Sequence, residues 1–153
     1  MKSVSIYLFG SWAWLVFSVV LLVMVCCFPF TRTVASTRKL AKNCSSAIIK
    51  LIGIELIVEG SENLVDEPSV LVANHASYTD PMILQAALPS HYAYVAKKEL
   101  KHIPFAVYVL GKMGTHLVDR RDAKERANDF KKIMQSNKDK DSIIFFPEAT
   151  FLK

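Results

Sequence analysis

The side chains best suited to chemistry lie in one short stretch, Asn74-His75-Ala76-Ser77-Tyr78-Thr79-Asp80. Imidazole has an ordinary pKa near neutrality, which suits His75 to take a proton as a general base. A carboxylate hydrogen-bonded to Nδ1 would fix the ring tautomer and stabilise the protonated ring. The spacing to Asp80 permits this contact in a bent loop. The same residues also fit an ordinary helix start, with Asp80 as the N-cap and Pro81 at the first helical position.

Other catalytic arrangements are not indicated. The sequence has no Gly-x-Ser-x-Gly nucleophile elbow, so a covalent acyl-enzyme is not predicted. No two histidines stand four residues apart with a carboxylate between them, so no metal site is predicted. Cys26, Cys27 and Cys44 lack the paired spacing of a zinc site and cannot form a complete disulfide framework. We interpret them as free thiols.

The segments around this loop alternate between strand and helix patterns. Strands are predicted at 54–59, 69–73, 93–96, 115–118 and 142–146, and helices at 81–88, 103–110 and 122–137. The apolar run at 69–73 is expected to be a buried strand, so that His75 follows its carboxyl end, where α/β sheets bind ligands. The alternation predicts an α/β fold with a partly parallel sheet covered by helices.

Composition and charge narrow the choice of partner. The chain is 52% hydrophobic and 22% charged, which excludes a disordered chain. Of the net charge of +5, residues 32–53 contribute five bases and no acid, whereas residues 54–153 hold 13 bases and 14 acids. A nucleic-acid-binding protein would spread its bases over the folded surface or cluster them with aromatic residues. Nucleic acid is therefore not a predicted partner.

The N-terminal segment is apolar enough for a membrane anchor. Val4–Phe30 is 27 residues long and carries no charge, while a bilayer core needs roughly 20 residues. A signal peptide would have a shorter apolar stretch. We therefore predict a transmembrane anchor at 1–31. One lysine precedes it and five bases follow, which predicts a single-pass protein with residues 32 onward in the cytoplasm, at the inner or plasma membrane if bacterial.

Residues 32–53 show the pattern of a basic amphipathic helix, with Thr31 as its N-cap and Gly53 as its C-terminal stop. One stripe is apolar and comprises Val34, Ala41, Cys44, Ile48, Leu51 and Ile52; the opposite stripe comprises Arg32, Ser36, Lys39, Asn43, Ser46 and Lys50. Such a helix can lie on an anionic membrane surface. The alternative is a first core helix whose polar face is simply solvated.

Several motifs carry a resemblance to a known family. Asn74-His75-x4-Asp80 resembles the NHxxxxD signature of the PlsC-like glycerolipid acyltransferases, which include the 1-acylglycerol-3-phosphate acyltransferases. Further stretches agree with the family in order and spacing: Lys97-Lys98-Glu99-Leu100 with Pro104 and Gly111, Gly114–Arg120, and Phe146-Pro147-Glu148-Ala149-Thr150. The chain is identified as a member of this family.

The resemblance implies a glycerol-3-phosphate acyltransferase-like fold and an O-acyltransferase of phospholipid biosynthesis. The reaction moves a fatty acyl group from acyl-CoA or acyl carrier protein to the free hydroxyl of 1-acylglycerol 3-phosphate, without a further cofactor. The implied partners are membrane phospholipid and lysophospholipid together with the acyl donor. The implied catalytic residues are His75 and Asp80, and the implied substrate-binding residues are Asn74, Lys97 (or its neighbour Lys98), Arg120, Glu148 and Thr150.

The chain departs from the family's third motif at two positions. Ala149 stands where the family usually has Gly, and Phe151 where it usually has Arg. The family also has a fourth motif, so we expect the acyltransferase domain at 54–153 to be incomplete at its C-terminus. The alternative function is a non-catalytic, membrane-bound module that binds lipid or another protein.

Overall fold

The computed structural model describes residues 2–119, 123–136 and 141–147. The helices are α1 (Lys2–Cys27), α2 (Val34–Ile52), α3 (Asp80–Ala87), α4 (Pro104–Lys112) and α5 (Ala123–Ser136). The strands are β1 (Val70–Val72), β2 (Tyr92–Lys97), β3 (His116–Val118) and β4 (Ser142–Phe145). The chain forms two compact units. Unit 1 comprises Met1–Glu59 and Pro81–Ser90, and unit 2 comprises Gly60–Asp80 and His91–Lys153.

Unit 2 contains a four-stranded sheet in the order β1-β4-β2-β3. All three strand pairings are parallel, with Val72 opposite Phe145 and Lys97 opposite Val118. The four carboxyl ends therefore lie at one edge of the sheet. This confirms the predicted α/β fold class, and it places the end of β1, which the His75 loop follows, at the same edge as the end of β2 at Lys97.

The core of unit 2 lies where α5 covers the sheet. Ile133 of α5 is buried with Val95, Val118 and Ile143, and Phe145 packs against this cluster. The ring of Phe130 meets that of Phe145 edge to face at 4.8 Å. From sequence, the apolar face predicted for this helix is Ala123, Ala127, Phe130 and Met134; Ala127 is exposed, and Ile133, outside that face, is buried. The sequence also predicts a capping box of Asp122 and Glu125, and Asp122 lies outside the described residues.

Two strand predictions need correction. The run at 69–73 is a strand, but β1 is an edge strand paired only with β4 among the described strands, and Val70 and Val72 are exposed rather than buried. Residues 54–59 form no strand in the described sheet, and their side chains are exposed. Alternation of apolar and polar residues gives only the pattern of a strand, since a strand also needs a partner backbone.

In unit 1, α2 runs back along α1. A 3₁₀ turn at Phe28–Phe30 reverses the chain, and the indole Nε1 of Trp12 donates to the carbonyl oxygen of Leu51 at 3.0 Å, near the end of α2. The carbonyl of Leu51 is one of those that a helix C-terminus leaves without an intrahelical donor. Residues 4–30 are long and apolar enough to cross a membrane, as predicted.

The N-cap of α2 is Thr33, not the predicted Thr31. The Thr33 hydroxyl accepts from the Ser36 amide at 3.1 Å, and the Ser36 hydroxyl accepts from the Thr33 amide at 3.2 Å, which together form a capping box. Thr31 instead donates its hydroxyl to the Phe28 carbonyl at 2.7 Å and so closes the preceding turn. Gly53 ends the helix as predicted, at a φ of 83° that favours glycine.

Protein rather than solvent covers the inner face of α2. The buried residues are Thr37, Arg38, Ala41, Cys44, Ser45, Ile48 and Ile49, while Val34 and Leu51 of the predicted apolar stripe are exposed. Within unit 1, α3 and Leu88, the residue directly after it, contact α2 through two hydrogen bonds to backbone carbonyls. Gln85 Nε2 donates to Arg38 O at 3.2 Å, and Lys42 Nζ donates to Leu88 O at 2.7 Å. The bases of this segment that stay exposed are Arg32, Lys39 and Lys50.

Candidate active site

The loop after β1 brings His75 and Asp80 together. Nδ1 of His75 lies 3.2 Å from Oδ2 of Asp80, and the two side chains are 17% and 21% exposed. This is the contact that the five-residue spacing permits. With Nδ1 facing a carboxylate, the favoured neutral tautomer carries its proton on Nδ1, which makes Nε2 the basic nitrogen.

Backbone amides hold the Asp80 carboxylate in place. The amides of Ala76 and Ser77 each donate to its Oδ2 atom at 2.8 Å. The carboxylate therefore turns back into the loop instead of capping α3, so the interpretation of Asp80 as a plain helix N-cap is wrong. The loop must bend for this, and the bend is closed by the Asp80 amide donating to the Ser77 carbonyl at 3.2 Å.

These contacts also set the charge of Asp80. Burial acts to raise the pKa of this carboxyl, but hydrogen bonds from the Ser77 amide, the His75 ring and the Ala76 amide, with the charge of His75, outweigh burial and lower the pKa below 3.8. The group is therefore ionised at neutral pH. An ionised Asp80 can both orient the imidazole and stabilise its protonated form.

An aromatic ring from β4's end packs against the His75 imidazole. The ring centroids of His75 and Phe146 are 4.6 Å apart at an interplanar angle of 39°, and Phe146 is buried. The contact follows from strand register, because Val72 lies opposite Phe145 and the Ala73 amide donates to the Phe145 carbonyl at 3.0 Å. Phe146 was not assigned to the site from the sequence, although it is the first residue of the Phe146–Thr150 motif; its contact with His75 depends on the pairing of β1 with β4.

Two of the remaining predicted residues, Asn74 and Lys97, lie among the described residues. Both are exposed; Asn74 directly precedes His75 of the His75–Asp80 dyad, and Lys97 ends β2, which is separated from β1 by β4. At ~4.8 Å per strand spacing, that places the two strand ends about 10 Å apart. Arg120, Glu148 and Thr150, with the unusual Ala149 and Phe151, lie outside the described residues.

Lys98 pairs with acidic side chains, and in this it differs from its exposed neighbour Lys97. Its ammonium group lies 3.8 Å from Asp119 Oδ2 and 3.7 Å from Glu125 Oε2. Asp119 directly follows β3 and Glu125 stands in the first turn of α5, so Lys98 bridges the end of β3 and the start of α5. In addition, the Asp119 amide donates to Asp129 Oδ2 at 3.1 Å.

Among residues 2–119, 123–136 and 141–147, no group of three or more His, Cys, Asp or Glu side chains could hold a metal ion. The free thiol of Cys44 is buried, and burial, followed by the proximity of Cys27, raises its pKa. A raised pKa keeps the thiol protonated and unreactive.

The comparison with known families decides the identification. Residues 55–153, which include the His75–Asp80 loop and the whole described sheet, match the family model described as Acyltransferase. The chain belongs to the acyltransferase family.

Two individual relatives of this acyltransferase family member have the same name as each other. The chain is 33% identical over 109 residues to a 1-acyl-sn-glycerol-3-phosphate acyltransferase of Saccharomyces cerevisiae, covering 70% of this chain and 36% of the relative. It is 32% identical over 136 residues to the enzyme of the same name from Helicobacter pylori, covering 89% of this chain and 56% of the relative. The chain thus spans between about a third and a little over half of these relatives' length.

The fold of this acyltransferase family member matches a solved structure. The crystal structure of the 1-acyl-sn-glycerophosphate acyltransferase PlsC from Thermotoga maritima superposes with a TM-score of 0.71 and 21% identity, covering 99% of this chain and 64% of that one. At that identity the likeness establishes the fold.

Proposed function

We propose that this chain transfers a fatty acyl group from a thioester donor, acyl-CoA or acyl carrier protein, to the free hydroxyl of 1-acylglycerol 3-phosphate, with phosphatidic acid as the product. The observation that supports it best is the 3.2 Å contact between His75 Nδ1 and Asp80 Oδ2, with two amides fixing the same carboxylate. The names of the relatives supply the substrate class.

In the proposed reaction, Nε2 of His75 takes the proton of the acceptor hydroxyl as its oxygen attacks the thioester carbonyl carbon. The new C–O bond forms and the C–S bond then breaks. The imidazolium returns its proton to the departing thiolate, so the products are an ester and a thiol. Asp80 stabilises the imidazolium between the two proton transfers. General-base catalysis of this kind contributes roughly 10²–10⁴-fold.

We further propose that the acceptor phosphate binds cationic side chains at the carboxyl edge of the sheet. Arg120 is the first candidate, because guanidinium binds phosphate in a bidentate manner. Lys97 is the second, because it is exposed at the end of β2 whereas Lys98 pairs with Asp119 and Glu125. Asn74, Glu148 and Thr150 complete the proposed substrate-binding set.

We propose that unit 1 inserts into a membrane and that residues 32 onward face the cytoplasm. Two arrangements of unit 1 satisfy this orientation. In the first, α1 crosses the bilayer. In the second, α1 and α2 lie side by side as a hairpin within one leaflet. The Trp12–Leu51 hydrogen bond favours the second arrangement, because α2 runs beside α1 and a full crossing would bring Lys39 and Lys50 to membrane depth. Placing such a charge at the bilayer centre costs about 2.5–3.5 kcal/mol.

The two arrangements differ in the side on which the N-terminus lies. With Cys26, Cys27 and Cys44 replaced by serine or alanine, a cysteine at Ser5 in oriented vesicles would react with an impermeant maleimide only from the side opposite the cytoplasmic one if α1 crosses. It would react only from the cytoplasmic side, or not at all, if the hairpin stays in one leaflet. A cysteine at Lys39 is the control for the cytoplasmic side in both cases.

The activity itself is tested with membranes carrying the full chain, labelled acyl-CoA or acyl carrier protein, and lysophosphatidic acid. Formation of labelled phosphatidic acid supports the proposal. If membranes show no transfer with either donor while the protein still binds lysophosphatidic acid, the alternative holds. The chain would then be a non-catalytic lipid-binding module whose third motif has degenerated at Ala149 and Phe151.

A further inference from the structure

Helix α4 is unusual because it is largely apolar before its last residue, Lys112, and yet has no buried residue. Its sequence is PFAVYVLGK, and Ile103, directly before it, and Phe105 are 50% and 53% exposed. Val107 and Tyr108 are also exposed. A helix that is apolar on all sides normally lies in a protein core or in lipid. The side of α4 that carries Phe105, Val107 and Tyr108 is therefore left uncovered by the part of the chain that the structure describes.

The charges around α4 match an anionic lipid surface. Lys101 precedes the apolar stretch and is exposed, whereas the nearest acidic residues, Glu99 and Asp119, are half-buried, and Asp119 Oδ2 lies 3.8 Å from the ammonium group of Lys98. Exposed apolar side chains beside an exposed lysine are the pattern of a surface that meets the headgroups of an anionic leaflet. A contact with another folded protein would not favour one sign of charge.

The topology places the start of α4 at the same edge of the sheet as the dyad. Because β2 and β3 are parallel neighbours, α4 must run from the carboxyl edge of the sheet back toward the amino edge. Ile103 and Phe105 therefore stand at the end of α4 nearest the carboxyl edge. His75 follows β1 at that edge, and so does Tyr78, whose side chain is 87% exposed.

We propose that the start of α4 docks unit 2 onto the lipid surface, with Ile103 and Phe105 entering the headgroup–acyl boundary and Lys101 facing anionic headgroups. Tyr78, on the same edge, forms a second contact, since tyrosine favours the membrane interface. The docking itself does not depend on acyl-transfer chemistry. One consequence of docking rests on the proposed function: a lysolipid acceptor could present its hydroxyl to His75 while its acyl chain stays in the leaflet.

The docking is tested by the depth of a fluorescent probe on the full chain. Cys26, Cys27 and Cys44 are replaced by serine or alanine, and an environment-sensitive dye is attached at Phe105→Cys. The matched control is Lys131→Cys on the exposed side of α5. Both proteins are reconstituted into vesicles of phosphatidylcholine and phosphatidylglycerol. We expect lipids spin-labelled in the acyl chain to quench the dye at position 105, and aqueous iodide to quench the dye at position 131.

Two outcomes would overturn the proposal. If iodide quenches the dyes at 105 and 131 equally, α4 is exposed to water. If the dye at 105 is shielded from iodide but is not quenched by the spin-labelled lipid, protein covers α4 instead of lipid.

A second measurement keeps the native cysteines and uses the double variant Ile103→Ser, Phe105→Ser. Transfer to a vesicle-embedded acceptor should fall roughly tenfold, since two partly buried apolar contacts are removed. Transfer to a water-soluble short-chain acceptor should not change. Equal loss on both acceptors contradicts the docking role. Absence of transfer by the unaltered protein contradicts the proposed function alone and leaves the quenching result valid.

Discussion

The Oδ2 atom of Asp80 lies 3.2 Å from Nδ1 of His75, and it also accepts the amides of Ala76 and Ser77. One oxygen thus fixes the imidazole and closes the loop that carries it. The pairing is local, because both side chains come from a six-residue segment that begins after an edge strand. The loop itself is anchored at both ends, by β1 on one side and by α3 on the other.

The His75→Ala variant should lose acyl transfer by about 10²–10⁴-fold, because it removes the imidazole that takes the hydroxyl proton. The measurement is transfer of labelled acyl groups to lysophosphatidic acid by membranes carrying equal amounts of protein. Lys132→Ala, which removes an exposed charge from α5, is the control and should keep full activity. Equal activity of His75→Ala and the unaltered protein would rule out His75 as the base.

The Asp80→Asn variant should lower kcat by about 10²-fold or more, with little change in KM for either substrate. Its amide oxygen can still accept the two loop amides, but its NH₂ group would then face Nδ1 of His75. That contact favours the tautomer with the proton on Nε2, which removes the base. Asp80→Glu keeps the charge and should recover part of the rate at high pH. If kcat is unchanged and only KM rises, Asp80 acts in binding instead of orienting His75.

The lowered pKa of Asp80 makes a prediction about stability and pH. Because the folded-state pKa lies below 3.8, the carboxylate stabilises the fold fully above the unfolded-state pKa, and this contribution is lost as pH falls through the folded-state value. The stability difference between the unaltered protein and Asp80→Asn should therefore be constant near neutral pH and shrink below about pH 4. Urea midpoints in detergent across this range measure it. A difference that stays constant down to the most acidic point would mean that the carboxylate is not preferentially stabilised in the fold.

The His75–Asp80 dyad and its position at the carboxyl edge of the sheet could be predicted because both follow from short stretches of sequence. An apolar run after Pro68 followed by a polar loop defines a strand end, and parallel strands place their carboxyl ends together. Spacing alone could not choose between Asp80 as helix cap and Asp80 as partner of His75. That choice depended on the bend of the loop, which the amides of Ala76 and Ser77 stabilise.

The sequence-based predictions were wrong or incomplete where strand pairing or tertiary packing determines the structure. Thr31 and Thr33 are equally good caps by residue type, and the 3₁₀ turn at Phe28–Phe30 determines which of them starts α2. Residues 54–59 alternate like a strand but have no partner in the described sheet. Phe146 reaches His75 only through the register of β1 against β4, a long-range property that no local pattern contains.

Lys97 and Lys98 should differ when each is replaced by alanine. Lys97→Ala should raise KM for lysophosphatidic acid about tenfold, the effect of losing roughly 1.4 kcal/mol of binding, with kcat little changed. Lys98→Ala breaks the ion pairs with Asp119 and Glu125, so it should affect acceptors with and without phosphate alike. Monoacylglycerol, which lacks the phosphate, is the discriminating acceptor. A Lys97→Ala effect of the same size on monoacylglycerol would exclude Lys97 from phosphate binding.

Phe146 tests whether packing holds His75 in its active orientation. Phe146→Ala removes a buried ring 4.6 Å from the imidazole and should destabilise the fold by about 3–5 kcal/mol. Phe146→Leu keeps most of the volume, so it should cost less stability but still lose the ring that flanks His75. We expect Phe146→Leu to lower kcat several-fold at full occupancy of both substrates, with its unfolding midpoint close to that of the unaltered protein. Full kcat in a stably folded Phe146→Leu would show that the ring fills space in the core and does not position the imidazole.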